Sequence, residues 1–436
     1  MTGAYRAAFD ALAPAAAWPE WVGRLRQAGM QRFATVGFPN PRDEEWRFTP
    51  VTPITRTGFG PPAPPAVPVT SADLARYGFG HPEWPVLVFV NGRFAPELSS
   101  RSELPEGVIA MSLAGALATR PELVEPHLGR QAAPEATPFT ALNAAFIQDG
   151  AFVRVPKDVD LKHPILLLFV TSADAGGQMA HPRNLVVVER GARASLVEQY
   201  MGLGDTAAYL TNAVTEVVLG ENAWLEHARL QREGEASYHV GFSHVHQARD
   251  SHYRSFTLAM GAAISRHNLH TRLDAPNTEA LLYGLTIAHR DQLVDNHTAI
   301  YHEQPACRSW EVYKAILEDR AHGVFNGKIY VTPEAQKTDA KQTNRTLLLS
   351  DTARVDTKPQ LEIFADDVKC THGATVGYLD ELPLFYFRSR GVPSGRARQL
   401  LTYAFAAEVM DEVHVDAVRV ELDRLVRTRL GITDGE

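Results

Sequence analysis

Cys370 and His372 lie two residues apart in the stretch Ala365-Asp366-Asp367-Val368-Lys369-Cys370-Thr371-His372-Gly373-Ala374-Thr375-Val376-Gly377. If that stretch is extended, both side chains project from one face, setting a thiol beside an imidazole. Those are the donors that soft and borderline metals such as iron and zinc prefer. Asp366 and Asp367 add carboxylate oxygens, but neighbours on a strand diverge, so at most one of them faces the same point. The chain has one further cysteine, Cys307. An iron–sulfur cluster takes about four protein ligands, mostly thiolates. A cluster built on this segment therefore needs donors from a second chain. The plainer reading of the pair is an inert packed cysteine beside a hydrogen-bonded histidine.

Other residues invite chemistry less strongly. Histidines are frequent between His227 and His322, with His239, His244, His246, His252, His267, His270, His289, His297 and His302 between them. Their spacing repeats no ligand pattern, and imidazole also serves as a hydrogen-bonding residue between strands, so structural roles are expected. Cys307 sits in the turn Gln304-Pro305-Ala306-Cys307-Arg308-Ser309 and reads as a small buried filler. The sequence has no Gly-x-x-x-x-Gly-Lys-Ser/Thr loop, Gly-x-Ser-x-Gly elbow or His-Glu-x-x-His helix, so ATP hydrolysis would belong to a partner. The adjacent pairs Glu44-Glu45 and Asp366-Asp367 do not make an acid/base couple by themselves.

A net charge of -8 argues against a general nucleic-acid binder, which carries a basic surplus. Hydrophobic residues at 45% and charged residues at 22% suit an ordinary soluble protein, and 436 residues can bury a large core. No segment reaches the roughly 18 uninterrupted apolar residues of a membrane helix. The start, Met-Thr-Gly-Ala-Tyr-Arg, lacks the apolar core of a secretory signal. Two cysteines cannot build a disulfide framework, so a reducing cytoplasm is expected.

The elements that must position Cys370 and His372 divide into three. Tyr5, Phe9 and Leu12, then Trp21, Leu25 and Ala28, fall at helical spacing before Gly37 and Pro39. Gly58 to Pro68 is a stiff proline-rich linker. Val86-Leu87-Val88-Phe89-Val90 followed by Asn91-Gly92 predicts a strand and hairpin turn, and Leu113 to Leu128 a helix. From about Ala141 to Phe387 short alternating segments follow one another, among them Asn184–Glu189, Ala194–Gln199, Ala213–Leu219, Trp224–Leu230 and Thr278–Ile287. Turn-then-strand phrases recur loosely, as in Gly191-Ala192-Arg193-Ala194-Ser195-Leu196 and Gly220-Glu221-Asn222-Ala223-Trp224-Leu225. Such texture predicts a barrel, sandwich or solenoid, and spacing alone does not choose among them. A helix capped by Ser394 carries Ala397, Leu400, Leu401, Ala404, Phe405, Ala407 and Met410, and a second runs from about Val415 to Gly431. The first is apolar around most of its circumference and needs cover on more than one side, from its own domain or from a partner. The expected division is 1–135 mostly helical with the linker, 136–388 β core and 389–436 helical.

Gln342-x-Asn344-x-x-Leu347-Leu348-Leu349-Ser350, Leu361-Glu362-Ile363, the Cys370 segment and Phe385-x-Phe387-Arg388-Ser389-Arg390-Gly391 together resemble the SufB/SufD family of the Suf iron–sulfur cluster assembly machinery. Glu44-Glu45-Trp46-Arg47-Phe48-Thr49 and Ala141-Leu142-Asn143 leading to Gly150-Ala151-Phe152-Val153-Arg154-Val155-Pro156 resemble its SufD branch. The resemblance spans roughly the whole chain and implies a mainly β fold, a right-handed parallel β-helix between helical ends. It implies a non-enzymatic scaffold that pairs with SufB through the β-helix and docks the SufC ATPase on its C-terminal helices, with Leu400, Leu401, Ala404, Phe405 and Met410 as the contact residues. His372, assisted by Cys370 and Asp367, would then be a donor to iron or to a transient cluster shared with SufB, and nothing would be tightly bound to the isolated chain. In the family, SufB carries the cysteines that pass sulfur. Pairing with a second copy stays open when the chain is alone. Two rivals remain: a β-helix enzyme acting on carbohydrate, which would need clustered carboxylates in a groove, and a stand-alone metal binder using the histidine-rich strands.

Overall fold

The computed structural model describes residues 2–12, 18–75, 77, 79, 81–100, 102–204 and 207–432. Short strands wind back and forth between two sheets, and that winding makes the body of the molecule. The first sheet runs, in spatial order, through Arg93–Phe94, Val86–Val90, Ile165–Thr171, Arg193–Gly202, Trp224–Arg232, His252–Ala259, Glu279–Ala288, Arg308–Leu317, Asp339–Leu348 and Lys369–Gly377. The second runs through Ile109–Ser112, Ala151–Val155, Arg183–Val188, Leu210–Leu219, Tyr238–Gln247, Ile264–Leu273, Leu293–His302, His322–Val331 and Arg354–Ile363, with Met179–Ala180 beside Leu210–Leu219. Beyond the antiparallel pairings near the N-terminus, neighbours are parallel and in register, so the chain is a two-sheet β-solenoid. Of the three architectures the spacing left open, this is the solenoid.

Its periodicity sits in the corners. Gly191, Asn222, Asp250, Asn277, Ala306 and Lys337 all have positive φ, the later five recurring every 27 to 31 residues. Each N–H donates to a carbonyl of the following turn, for example Gly191 to Glu221, Asn222 to Arg249 and Lys337 to Asp367. Asn and Asp tolerate this left-handed conformation better than other side-chain-bearing residues, which explains why the turn phrases look alike without repeating. The residue after each is small and buried: Ala192, Ala223, Ser251, Thr278, Cys307, Thr338. Cys307 is thus one rung of a stacked corner column, with the Thr278 hydroxyl 3.1 Å from its sulfur.

Apolar side chains from both sheets fill the interior, including Leu167, Val186, Leu196, Leu225, Leu269, Leu282, Ile300 and Phe325. Helices Thr2–Ala11, Glu20–Val36 and Pro138–Ala145 form an apolar cluster that reaches Leu210 and Val240 of the second sheet. Helices Ser394–Met410 and Asp416–Arg429 cover the outer face of the first, packing Ala406, Val409, Met410, Leu422 and Val426 with Phe256, Leu285 and Ile316. Each large apolar side chain so buried contributes about 1.5–3 kcal/mol.

Several local expectations are refined. Leu113 to Leu128 is two short helices, Leu113–Thr119 and Pro121–Val124, because Pro121 lacks the N–H that would continue the first. Ser394 is the first helical residue rather than the cap, a place taken by Pro393. The proline-rich segment is strapped to the solenoid: Gly60 exchanges backbone bonds with Gly177 and Met179, and the Ala63 and Ala66 N–H groups donate to Gln178 and Asp174. The hairpin at Asn91-Gly92 forms as expected, and its strand Val86–Val90 extends the first sheet.

Gly150 has φ 155°, and a Cβ there would lie 2.0 Å from the Arg183 carbonyl oxygen. Both observations demand glycine. Gly150→Ala is expected to cost more than about 3 kcal/mol and to appear as lost soluble protein or a sharply lowered Tm.

Candidate functional site

The two sheets end together. Lys369–Gly377 is the last strand of the first and Arg354–Ile363 the last of the second, each with a neighbour on one side only. A free edge is a row of unmatched backbone donors and acceptors, a template for another chain. Lys369 N–H donates to Thr338 of the neighbouring turn. Since alternate residues of a strand bond to opposite sides, the N–H groups of Cys370, His372, Ala374 and Val376 face the free side.

Cys370 and His372 share the face that looks into the solenoid, as alternation requires. Cys370 pairs in register with buried Ala340 and is half-buried against Ile329, Val331 and Ala365. Burial pushes its thiol up from the usual range, so in this chain it is no ready thiolate. His372 pairs with Gln342, is exposed, and makes no hydrogen bond to any described residue. Asp366 and Asp367 lie in the preceding corner. Asp366 accepts from Gln336 at 2.9 Å, and Asp367 forms an ion pair with Lys337. The strand therefore presents the thiol and the imidazole, while both carboxylates are engaged in the turn. Among the described residues no three His, Cys, Asp or Glu side chains converge as a metal site.

The same end carries exposed apolar surface that the sequence reasoning missed. Of eleven large hydrophobic residues exposed among those described, six fall between residues 364 and 386: Phe364, Val376, Tyr378, Leu382, Phe385 and Tyr386, at 48–72% exposure. Such clustering on one segment marks a contact surface rather than scattered solvent-facing side chains. The legible signal was the i, i+3, i+4 spacing of Leu382, Phe385 and Tyr386 on helix Glu381–Ser389.

On helix Ser394–Met410, Met410 is buried against the first sheet and Phe405 is half-buried, its ring 4.5 Å from the Lys314 ammonium. Leu400 and Leu401 are half-buried and Ala404 is exposed. Polar ties fix these helices to the sheet: Arg254 to Glu412 at 3.0 Å, Arg232 to Glu421 at 3.1 Å, and Lys314 to the Phe405 carbonyl at 2.9 Å.

Many of the scattered histidines are bound within the fold. His227 reaches Glu198 and Tyr253, His239 pairs with Glu233, His267 meets Ser243 and His302 meets Ser309. Burial holds His302 and His270 down to about 3, leaving them neutral.

Residues 169–405 match the family described as SUF system FeS cluster assembly, SufBD core domain, and residues 8–167 match the SufBD protein N-terminal region. An iron–sulfur cluster assembly SufBD family protein of Synechocystis is 36% identical, the match covering 93% of this chain and 90% of the relative. The iron–sulfur cluster assembly protein SufD of Escherichia coli is 32% identical, covering 93% and 92%. That of Bacillus subtilis is 27% identical over 94% of each.

Proposed function

The chain belongs to the SufBD family of SUF-system iron–sulfur cluster assembly proteins, and from that premise we propose that it is the SufD-type scaffold of a cytoplasmic assembly complex. It pairs with a SufB-type chain at the open end of the solenoid and offers His372, with Cys370 beside it, to iron or to a nascent cluster. The cluster is cargo, completed by donors from the partner. Its C-terminal helices dock the SufC-type ATPase, through the exposed sides of Leu400, Leu401, Ala404 and Phe405; the buried Met410 serves the fold beneath.

One observation carries the reading: the strand that bears both donors is an unpaired edge, flanked by most of the exposed apolar side chains. Donor count and backbone valence are unfilled at the same place, and a second chain adding a strand would fill both. The bound histidines of the rungs take support away from a stand-alone metal binder.

Co-expression with SufB- and SufC-type chains and recovery through a tag on this one tests the pairing. Ala374→Pro removes a free-side N–H and leaves the bonds to Asp339–Leu348 alone. Recovery of the SufB-type chain should fall at least about tenfold while the Tm of the isolated variant moves little. Undiminished recovery would sink the pairing at this edge.

A further inference from the structure

Behind His372 the interior of the solenoid is polar, and its residues line up by register. Leu282, Glu311, Gln342 and His372 occupy successive rungs of the first sheet on the inward face. Glu311 is 1% exposed and Gln342 2%. The Gln342 Nε2 group donates to Glu311 Oε2 at 2.8 Å. That bond commits the amide's donor end backwards, away from the mouth. Its carbonyl, Oε1, is buried and has no partner.

An unmatched buried carbonyl costs about 1–3 kcal/mol, so its retention asks for a reason. The amide is also deliberately accommodated. Across the interior, Gly327 of the second sheet leaves the space it occupies: a Cβ there would fall 2.2 Å from Gln342 Nε2 and 2.8 Å from its Cδ. Burial pushes the Glu311 carboxyl up to about 7. Thr298 stands beside it, Tyr313 flanks it on its own strand, and neutral His302 lies on the strand that carries Thr298. Thr298 and Gln342 are the two side chains that meet the carboxyl, Gln342 through the 2.8 Å bond to Oε2.

Adjacent rungs are about 4.8 Å apart, so an amide and an imidazole on one face can bond without backbone movement. We propose that Gln342 is a positioning residue for His372: held by Glu311 and by the gap at Gly327, its Oε1 accepts the N–H of the His372 ring and turns the ring's other nitrogen, lone pair outward, towards the metal. Metal-binding histidines commonly donate their second N–H in this way, which fixes the tautomer and raises the basicity of the ligating nitrogen. The proposal rests on His372 being a donor in the partner-bound complex.

The test is a double-mutant cycle on that complex, with anaerobic ferrous iron as the titrant. Gln342→Met is expected to weaken iron binding about 10–100-fold, with the complex still assembled. In the His372→Ala background it should add nothing, because its effect passes through that ring. Gly327→Ala, which pushes the amide without deleting it, should act in the same direction. If Gln342→Met does not assemble, Gln342→Asn keeps the amide, withdraws its carbonyl by one methylene, and should give the same loss. Unchanged binding in the assembled Gln342 variant, or an equal loss with and without His372, overturns the proposal while leaving the edge pairing and the donor role of His372 intact. An inert His372→Ala overturns both.

Discussion

Replacing His372 by alanine is expected to leave the fold and the proposed complex intact and to lower cluster yield by about tenfold or more. The fold side follows from position. His372 is exposed on an edge strand and bonded to no described side chain, so its removal should stay within about 0.5 kcal/mol. The chemical side follows from scarcity. With Cys370 half-buried and its thiol raised, and with Asp367 of the preceding corner paired to Lys337, no other metal-binding side chain of this segment is equally free to donate. Anaerobic reconstitution followed by iron and sulfide analysis, alongside a Tm measurement, reads both halves. A folded, assembled variant that builds clusters at the normal yield would remove His372 from the site.

Acid should unfold this chain well before its carboxylates would by themselves. Burial holds His181, His270 and His302 down to about 3 and His244 to about 4. Unfolded histidine titrates near 6.5. A depressed group gives stability that is fully present above its unfolded pKa and lost as the pH falls towards its folded one. Between pH about 6.5 and 4.5 each of the four forfeits roughly 2 kcal/mol, a total on the order of 10 kcal/mol. Glu311 opposes them, since its folded pKa is raised to about 7. Its contribution is present below about 4.5 and lost as the pH rises through about 7, so the same acidification returns roughly 2 kcal/mol. The histidines win, and the net loss rivals the whole stability of an ordinary domain. Cooperative unfolding is expected between about pH 4 and 5, followed by far-UV circular dichroism and tryptophan fluorescence. A native spectrum below about pH 4 would mean that these rings carry charge inside the folded chain.

Much of the architecture is legible one residue at a time. Short alternating segments such as Trp224–Leu230 and Thr278–Ile287 announce strands, and Asn91-Gly92 announces its hairpin, because period two and positive φ are local properties. Helix Asp416–Arg429 declares its buried stripe of Val418, Leu422, Leu425 and Val426 for the same reason. The solenoid was harder to read: its corners accept glycine, asparagine, aspartate, alanine or lysine at one structural position, so no fixed motif marks the turn. Helix Glu381–Ser389 was missed as a surface because its apolar face lies beside the last strand, where hydrophobic residues look like core.

By itself the sequence determined the donor inventory. Two cysteines in 436 residues and one Cys-x-His pair restrict what any metal site here can be, since ligand identity is written in the side chains. It also determined that those two donors share a face. What only the tertiary structure decided is where that face ends up. Strand order places it at an open edge, puts the Asp367 carboxylate in a corner with Lys337, and stacks Glu311 and Gln342 directly behind His372. Register joins residues about thirty positions apart in the chain, and no local spacing encodes it, because each rung is chosen by the one beneath.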